Sequence, residues 1–96
     1  GATAVTKALY VVISGRVQGV WFRGWTRQAA ASFGLDGWVR NRRDGSVEAV
    51  FSGDAKKVEA MLQACWQGPD MARVTTVDSS VYDDKVEPGF VVKTTA

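Results

Sequence analysis

The sequence predicts a single α+β domain of element order β-α-β-β-α-β, a four- to five-stranded antiparallel sheet with two helices on one face. Three observations lead there. Two stretches with a helical apolar period alternate with β-branched runs, an Asp-Gly pair joins the two middle runs, and 96 residues are the length of one domain. Gly1 stands where a start methionine is expected. Residues 1–6 are therefore read as a processed or disordered N-terminal segment and residues 7–96 as the domain.

Each element follows from its own residues. Ala8 to Ser14 (ALYVVIS) is β-branched and aromatic, the pattern of a buried strand. A loop bearing Gly15 and Gly19 comes next. From Phe22 the period changes: Phe22, Trp25, Ala29 and Phe33 share one helical face, Arg23 and Arg27 lie off it, and Gly34 is the stop. Gly37 to Asn41 and Ser46 to Ser52 are strands joined by Arg42-Arg43-Asp44-Gly45, with an Asp-Gly turn signal. Val47, Ala49 and Phe51 face one way, Glu48 and Val50 the other. Asp54 is the expected N-cap of a second helix, whose stripe of Val58, Met61, Leu62 and Cys65 ends at Gly68-Pro69. Val74 to Tyr82 and Phe90 to Lys93 supply the last strands. Val77 and Val81 share a parity that Val74 lacks, which predicts a bulge or a late start there. Two right-handed βαβ units interleaved in this way make the ferredoxin-like sandwich.

Composition excludes several function classes. Apolar residues are 46% and charged residues 23%, the balance of a globular chain. Twelve basic against ten acidic residues leave a net charge of +2, so Arg16, Arg40, Arg42 and Arg43 read as a solvated face rather than a nucleic-acid patch. An RNA-binding domain of the same topology needs an aromatic platform, and here only Trp38 is expected on that face. There is no histidine, which removes Ser-His and Cys-His catalysis and imidazole metal sites. The single cysteine, Cys65, cannot form an intrachain disulfide and lies on an apolar stripe, so it reads as a small hydrophobe. Asp83-Asp84 reads as a surface turn and not a metal site. No apolar run reaches the roughly 18–20 residues of a membrane span, and no apolar stripe demands a dimer. The expectation is a cytoplasmic monomer with neither membrane nor nucleic-acid partners.

The stretch with chemistry in it is Gly15, Arg16, Val17, Gln18, Gly19 and Val20, followed by Arg23. A glycine-bearing loop between a strand and a helix exposes successive N–H groups, and the helix N-terminus adds partial positive charge. Arg23, in the first helical turn, carries a five-donor fork suited to a phosphate. Neither a Walker A loop nor a G-x-G-x-x-G spacing is present. Two readings stay open from spacing alone: an anion cradle, or a plain turn with a solvated arginine. Asn41 ends a strand expected beside this loop, and either faces it or bonds its own backbone.

Gly15-Arg-Val-Gln-Gly-Val-Trp-Phe-Arg23, then Gly37-Trp-Val-Arg-Asn41 and Gly45-Ser-Val47 with Gly53 beyond, resemble the two signatures of the acylphosphatases in order and separation. The resemblance implies a hydrolase without metal or cofactor that splits a small-molecule acyl phosphate into a carboxylate and inorganic phosphate. Phosphate would also be a competitive inhibitor. It further implies that Arg23 binds the phosphate, that Asn41 orients the attacking water, and that the amides from Gly15 through Val20 complete the cradle. The alternative is a non-catalytic module of the same fold that binds a phosphorylated ligand. The residue inventory suits the hydrolase. A carboxylate leaving group needs no strong general acid, so the lack of histidine is no obstacle. A neutral amide takes up no proton at pH 7, so Asn41 would position water rather than deprotonate it. Trp21 stands where the family varies, Ser46 where threonine is also common, and Phe90 to Ala96 match only loosely.

Overall fold

β-Branched residues open the chain as a long strand, and the computed structural model, which describes residues 5–96, places β1 at Thr6–Arg16. Thr6 pairs with Asp54, and the carbonyl of Val5 accepts from the Ala55 N–H at 2.7 Å. The N-terminal segment expected at residues 1–6 thus overlaps β1 at Thr6, and its residues 1–4 lie outside the described residues. The elements α1 (Phe22–Ser32), β2 (Asp36–Asn41), β3 (Val47–Asp54), α2 (Ala55–Gln67), β4 (Arg73–Val81) and β5 (Phe90–Val92) follow. They follow the expected order, and both strands expected after α2 are present.

The sheet order is β4-β1-β3-β2-β5. The first four strands are antiparallel, but β5 runs parallel to β2, pairing Gly37 with Phe90 and Val39 with Val92. The all-antiparallel expectation is corrected to a mixed sheet, and the chain path explains why. β4 ends where β1 begins, with the Tyr82 N–H on the Ala8 carbonyl at 3.0 Å. The link 82–89 then crosses to the start of β2. There Gly37 donates to the Gly89 carbonyl at 3.0 Å and Gly89 donates to the Asp36 carboxylate at 2.8 Å. A strand that starts beside the start of β2 runs the same way as β2.

α2 packs over β4, β1 and β3, and α1 over β2 and β5, enclosing one core. In α2, Val58, Met61 and Cys65 are buried, and Asp54 caps the helix by accepting from the Lys56 N–H at 2.8 Å. Burial pushes the Cys65 thiol up to about 12, so the thiolate that a nucleophile needs is absent at neutral pH. The buried stripe of α1 is Phe22, Thr26 and Ala30, with Trp25, Ala29 and Phe33 only on its flank. A threonine at the centre of that stripe hides it from an apolar pattern, yet its hydroxyl is satisfied by the Phe22 carbonyl at 2.8 Å. The irregularity expected near Val74 is a β-bulge: Ser14 pairs with Thr76 and Gly15 with Val74, which skips Thr75 and lets both Val74 and Val77 reach the core.

The sheet face away from the helices carries a buried carboxylate. Glu48 accepts from the Tyr10 hydroxyl at one oxygen and from Arg40 Nε at the other, and Arg42 Nε lies 4.0 Å from the oxygen that Tyr10 reaches. Arg40 and Lys93 sit 4.9 and 4.7 Å from the Trp38 ring centroid. Tyr10 is thus a second aromatic on this face beside Trp38, and Glu48 pairs with Arg40 while Arg42 lies between Glu48 and Asp44. Desolvation raises the Glu48 pKa, but the bonds from Tyr10 and Arg40 and the nearby guanidinium charges outweigh it and leave the value lowered. A depressed folded value means stability that is full above the unfolded value of about 4.3 and lost as pH falls through the folded one. The urea midpoint is therefore expected to drop on acidification below about pH 4. Glu48→Gln should flatten that limb; an identical limb in the variant would assign it to other carboxylates.

Candidate active site

The site is assembled where β1, α1 and the β2–β3 hairpin meet. Gly15 has φ +121°, and a Cβ there would lie 2.2 Å from the Arg73 carbonyl oxygen, so only glycine lets β4 approach this closely. The chain then turns into α1 through Gly19 (φ 74°) and Trp21 (φ 68°). A left-handed conformation in a residue as bulky as tryptophan costs on the order of 1–3 kcal/mol and persists only where surroundings enforce it. Two contacts enforce it here. The Trp21 carbonyl opens the helix by accepting from the Trp25 N–H at 3.0 Å, and the indole rests against the bare α-carbon of Gly24.

Gln18 ties this loop to the hairpin. Its side-chain amide donates to the Arg42 carbonyl at 2.7 Å and to the Ser46 carbonyl at 2.9 Å. The hairpin closes on itself through Arg42 N–H to the Ser46 carbonyl at 2.8 Å. Asp44 accepts from both the Ser46 N–H and hydroxyl, at 2.9 and 2.6 Å, and these bonds hold its carboxyl below the usual value. Loop and hairpin are therefore tied together, and Asn41, the last residue of β2, lines the same cleft as the loop.

Arg23 and Asn41 line one cleft of about 300 Å³ together with Val17, Gln18 and Gly19; Trp21, Phe22, Gly24 and Val92 complete its walls. Gly15, Arg16 and Val20 of the expected cradle are not in that wall. Gly15 borders a separate shallow hollow beside Asp44 and Ser46, Arg16 pairs with Arg73 at the exposed end of β1, and Val20 is buried in the core. The cleft residues that the sequence reading did not assign to the site are Trp21, Phe22, Gly24 and Val92. For Trp21 the only signal was its place between the second loop glycine and the helix; for Val92 there was none, because its position depends on the direction of β5.

The polar groups of the cleft are left unspent. Among the described residues, no carboxylate lies within ion-pair distance of Arg23. α1 has no acidic residue in its first turn and no side-chain cap, so its terminal N–H groups keep their partial positive charge. None of the N–H groups from Val17 to Trp21 donates to a protein acceptor among the described residues. Asn41 stands opposite Val47 in the β2–β3 register and its carbonyl accepts from the Ala96 N–H at 3.0 Å, while its side-chain amide bonds no protein group among the described residues. A cation, several unsatisfied amides and a free carboxamide around one space form a receptor for an anion and a bound water.

Comparison with known proteins is consistent along the chain. The family model described as Acylphosphatase matches residues 9–92. An acylphosphatase of Rhodospirillum rubrum is 54% identical over 87 residues, which cover 91% of this chain and 96% of that protein. The solved structure of an acylphosphatase from Coxiella burnetii superposes with a TM-score of 0.88 at 33% identity, covering 92% of this chain and 93% of that one. The crystal structure of the acylphosphatase from Bacillus subtilis does so with 0.86 at 28% identity, covering 93% and 99%. With the element order, the cleft and these likenesses in agreement, the chain belongs to the acylphosphatase family, enzymes that hydrolyse acyl phosphates.

Proposed function

We propose that this chain hydrolyses acyl phosphates by direct, metal-free attack of water on a phosphoryl group held by Arg23 and the N–H groups between Val17 and the start of α1. The observation that supports it most is the convergence in one cleft of an unneutralised guanidinium, unsatisfied loop amides and the unengaged carboxamide of Asn41. In this reading the phosphoryl oxygens face the Arg23 fork and the helix N-terminus, which stabilise the charge on the equatorial oxygens as the bond to the leaving group loosens. Asn41 hydrogen-bonds a water and holds it in line. The water oxygen bonds to phosphorus as the bond between phosphorus and the acyl oxygen breaks, the carboxylate leaves, and the water proton passes to a phosphate oxygen. The products are a carboxylate and inorganic phosphate.

The same reading takes the protein to act as a cytoplasmic monomer on a small molecule, supported by a cleft built wholly within one chain and by a lone, buried thiol. Among the described residues no helix is long and apolar enough to cross a membrane.

Hydrolysis of benzoyl phosphate, followed with and without a chelator, tests this directly. Turnover is expected to be chelator-insensitive and competitively inhibited by inorganic phosphate. Turnover abolished by chelator would overturn the metal-free route. Phosphate binding without turnover would identify a ligand-binding module instead.

A further inference from the structure

We propose that Trp21 selects the acyl group, favouring acyl phosphates whose acyl portion is a planar aromatic ring; this rests on the hydrolytic reading above. A tryptophan 59% exposed is unusual, and this one is held in a left-handed backbone conformation at the rim of the cleft. Its seat is made by a missing side chain. A Cβ at Gly24 would come within 2.2 Å of the indole Nε1 and 2.7 Å of Cε2, so the ring lies against the helix only because residue 24 has none.

Trp21, Gly24 and Val92 border both the phosphate cleft and an adjoining hollow of about 460 Å³ between α1 and β5, which ends at Arg27 and Gln28. The two spaces thus share one border, at which the polar cleft of Arg23 and Asn41 gives way to the apolar surface of Trp21 and Val92. In an acyl phosphate a single bridging oxygen joins phosphorus to the acyl carbon, so a phosphate seated at Arg23 delivers its acyl group to that border. Val92, 42% exposed, adds aliphatic surface to it. An aryl ring covers an indole by offset stacking or an edge-on contact, whereas a two-carbon acetyl group presents too little surface to do so.

The test compares benzoyl phosphate with acetyl phosphate in the full chain and its variants. Trp21→Ala is expected to lower kcat/KM for benzoyl phosphate about five- to tenfold more than for acetyl phosphate, chiefly through KM. Trp21→Phe should restore most of the ratio. Gly24→Ala, whose methyl displaces the indole, should lose part of it while Trp21 is still present. Inorganic phosphate, used as an inhibitor, should weaken less than benzoyl phosphate does in Trp21→Ala. Equal loss on both substrates, or phosphate inhibition weakening in step with the benzoyl phosphate KM, would overturn the proposal by assigning Trp21 to loop geometry alone. An unchanged chain that hydrolyses neither substrate is a different result, and overturns the hydrolytic reading itself.

Discussion

Arg23→Gln is expected to lower benzoyl phosphate hydrolysis by on the order of 10³-fold or more and to remove inhibition by inorganic phosphate with it. The two losses should come together because one guanidinium serves both. No carboxylate pairs with Arg23 among the described residues, so its charge is uncompensated until an anion arrives. Glutamine keeps a donor on a shorter chain but removes the charge and the planar fork, and a lysine supplies charge without the fork. Folding should be little affected, since the side chain is half-exposed and makes no protein hydrogen bond among the described residues. An unchanged thermal midpoint with lost turnover is the expected pattern. Retained phosphate inhibition in Arg23→Gln would mean that the loop amides bind the anion unaided.

Asn41→Ala should separate what Arg23→Gln removes together. Turnover is expected to fall by about 10²–10³-fold, the loss found when a positioned hydrogen-bonding group is deleted, while phosphate inhibits as before. The β2 backbone keeps its register opposite Val47 and the bond from the Ala96 N–H in the variant, so strand and cleft persist and only the carboxamide is missing. The loss should appear in kcat rather than KM, because an aligned water matters in the transition state and contributes nothing to holding substrate. Full activity in Asn41→Ala would end the water-positioning role.

Local chemistry explains which features were readable in the sequence. Asp54 before a helical stripe, Asp44-Gly45 between alternating runs and Gly34 after Phe33 each act over a few residues, and each marks a boundary that the structure has within one or two positions. The valines of β4 disclosed their bulge because parity is a local property of a strand. The common cleft of Arg23 and Asn41 was legible too, because β-α-β topology brings the end of β2 beside the entry to α1. What stayed hidden depends on distant partners. The direction of β5 is set by where the 82–89 link delivers it. Thr26 is buried because its hydroxyl finds a carbonyl one turn back, a satisfaction that no hydropathy pattern registers. Gln18 sits inside the signature loop, yet its amide reaches across to the hairpin, so its place in the loop did not disclose the bond it makes.

The strand order sets how the molecule comes to exist as well as how it stands. Only β2 and β3 are neighbours in both chain and sheet; β1 must reach past α1 and β2 to find β3, and β4 and β5 return from further still. Such pairings meet the entropy of closing a long loop before any contact rewards them, which places folding among the slower single domains, in milliseconds to seconds rather than microseconds. Arg23 is carried in behind β1 and Asn41 at the end of β2, so the cleft has no partial form: β3 must receive a strand on each side first. Recovery of hydrolysis after denaturation is thus a clock for closure of the central sheet, and early helix formation leaves it still at zero.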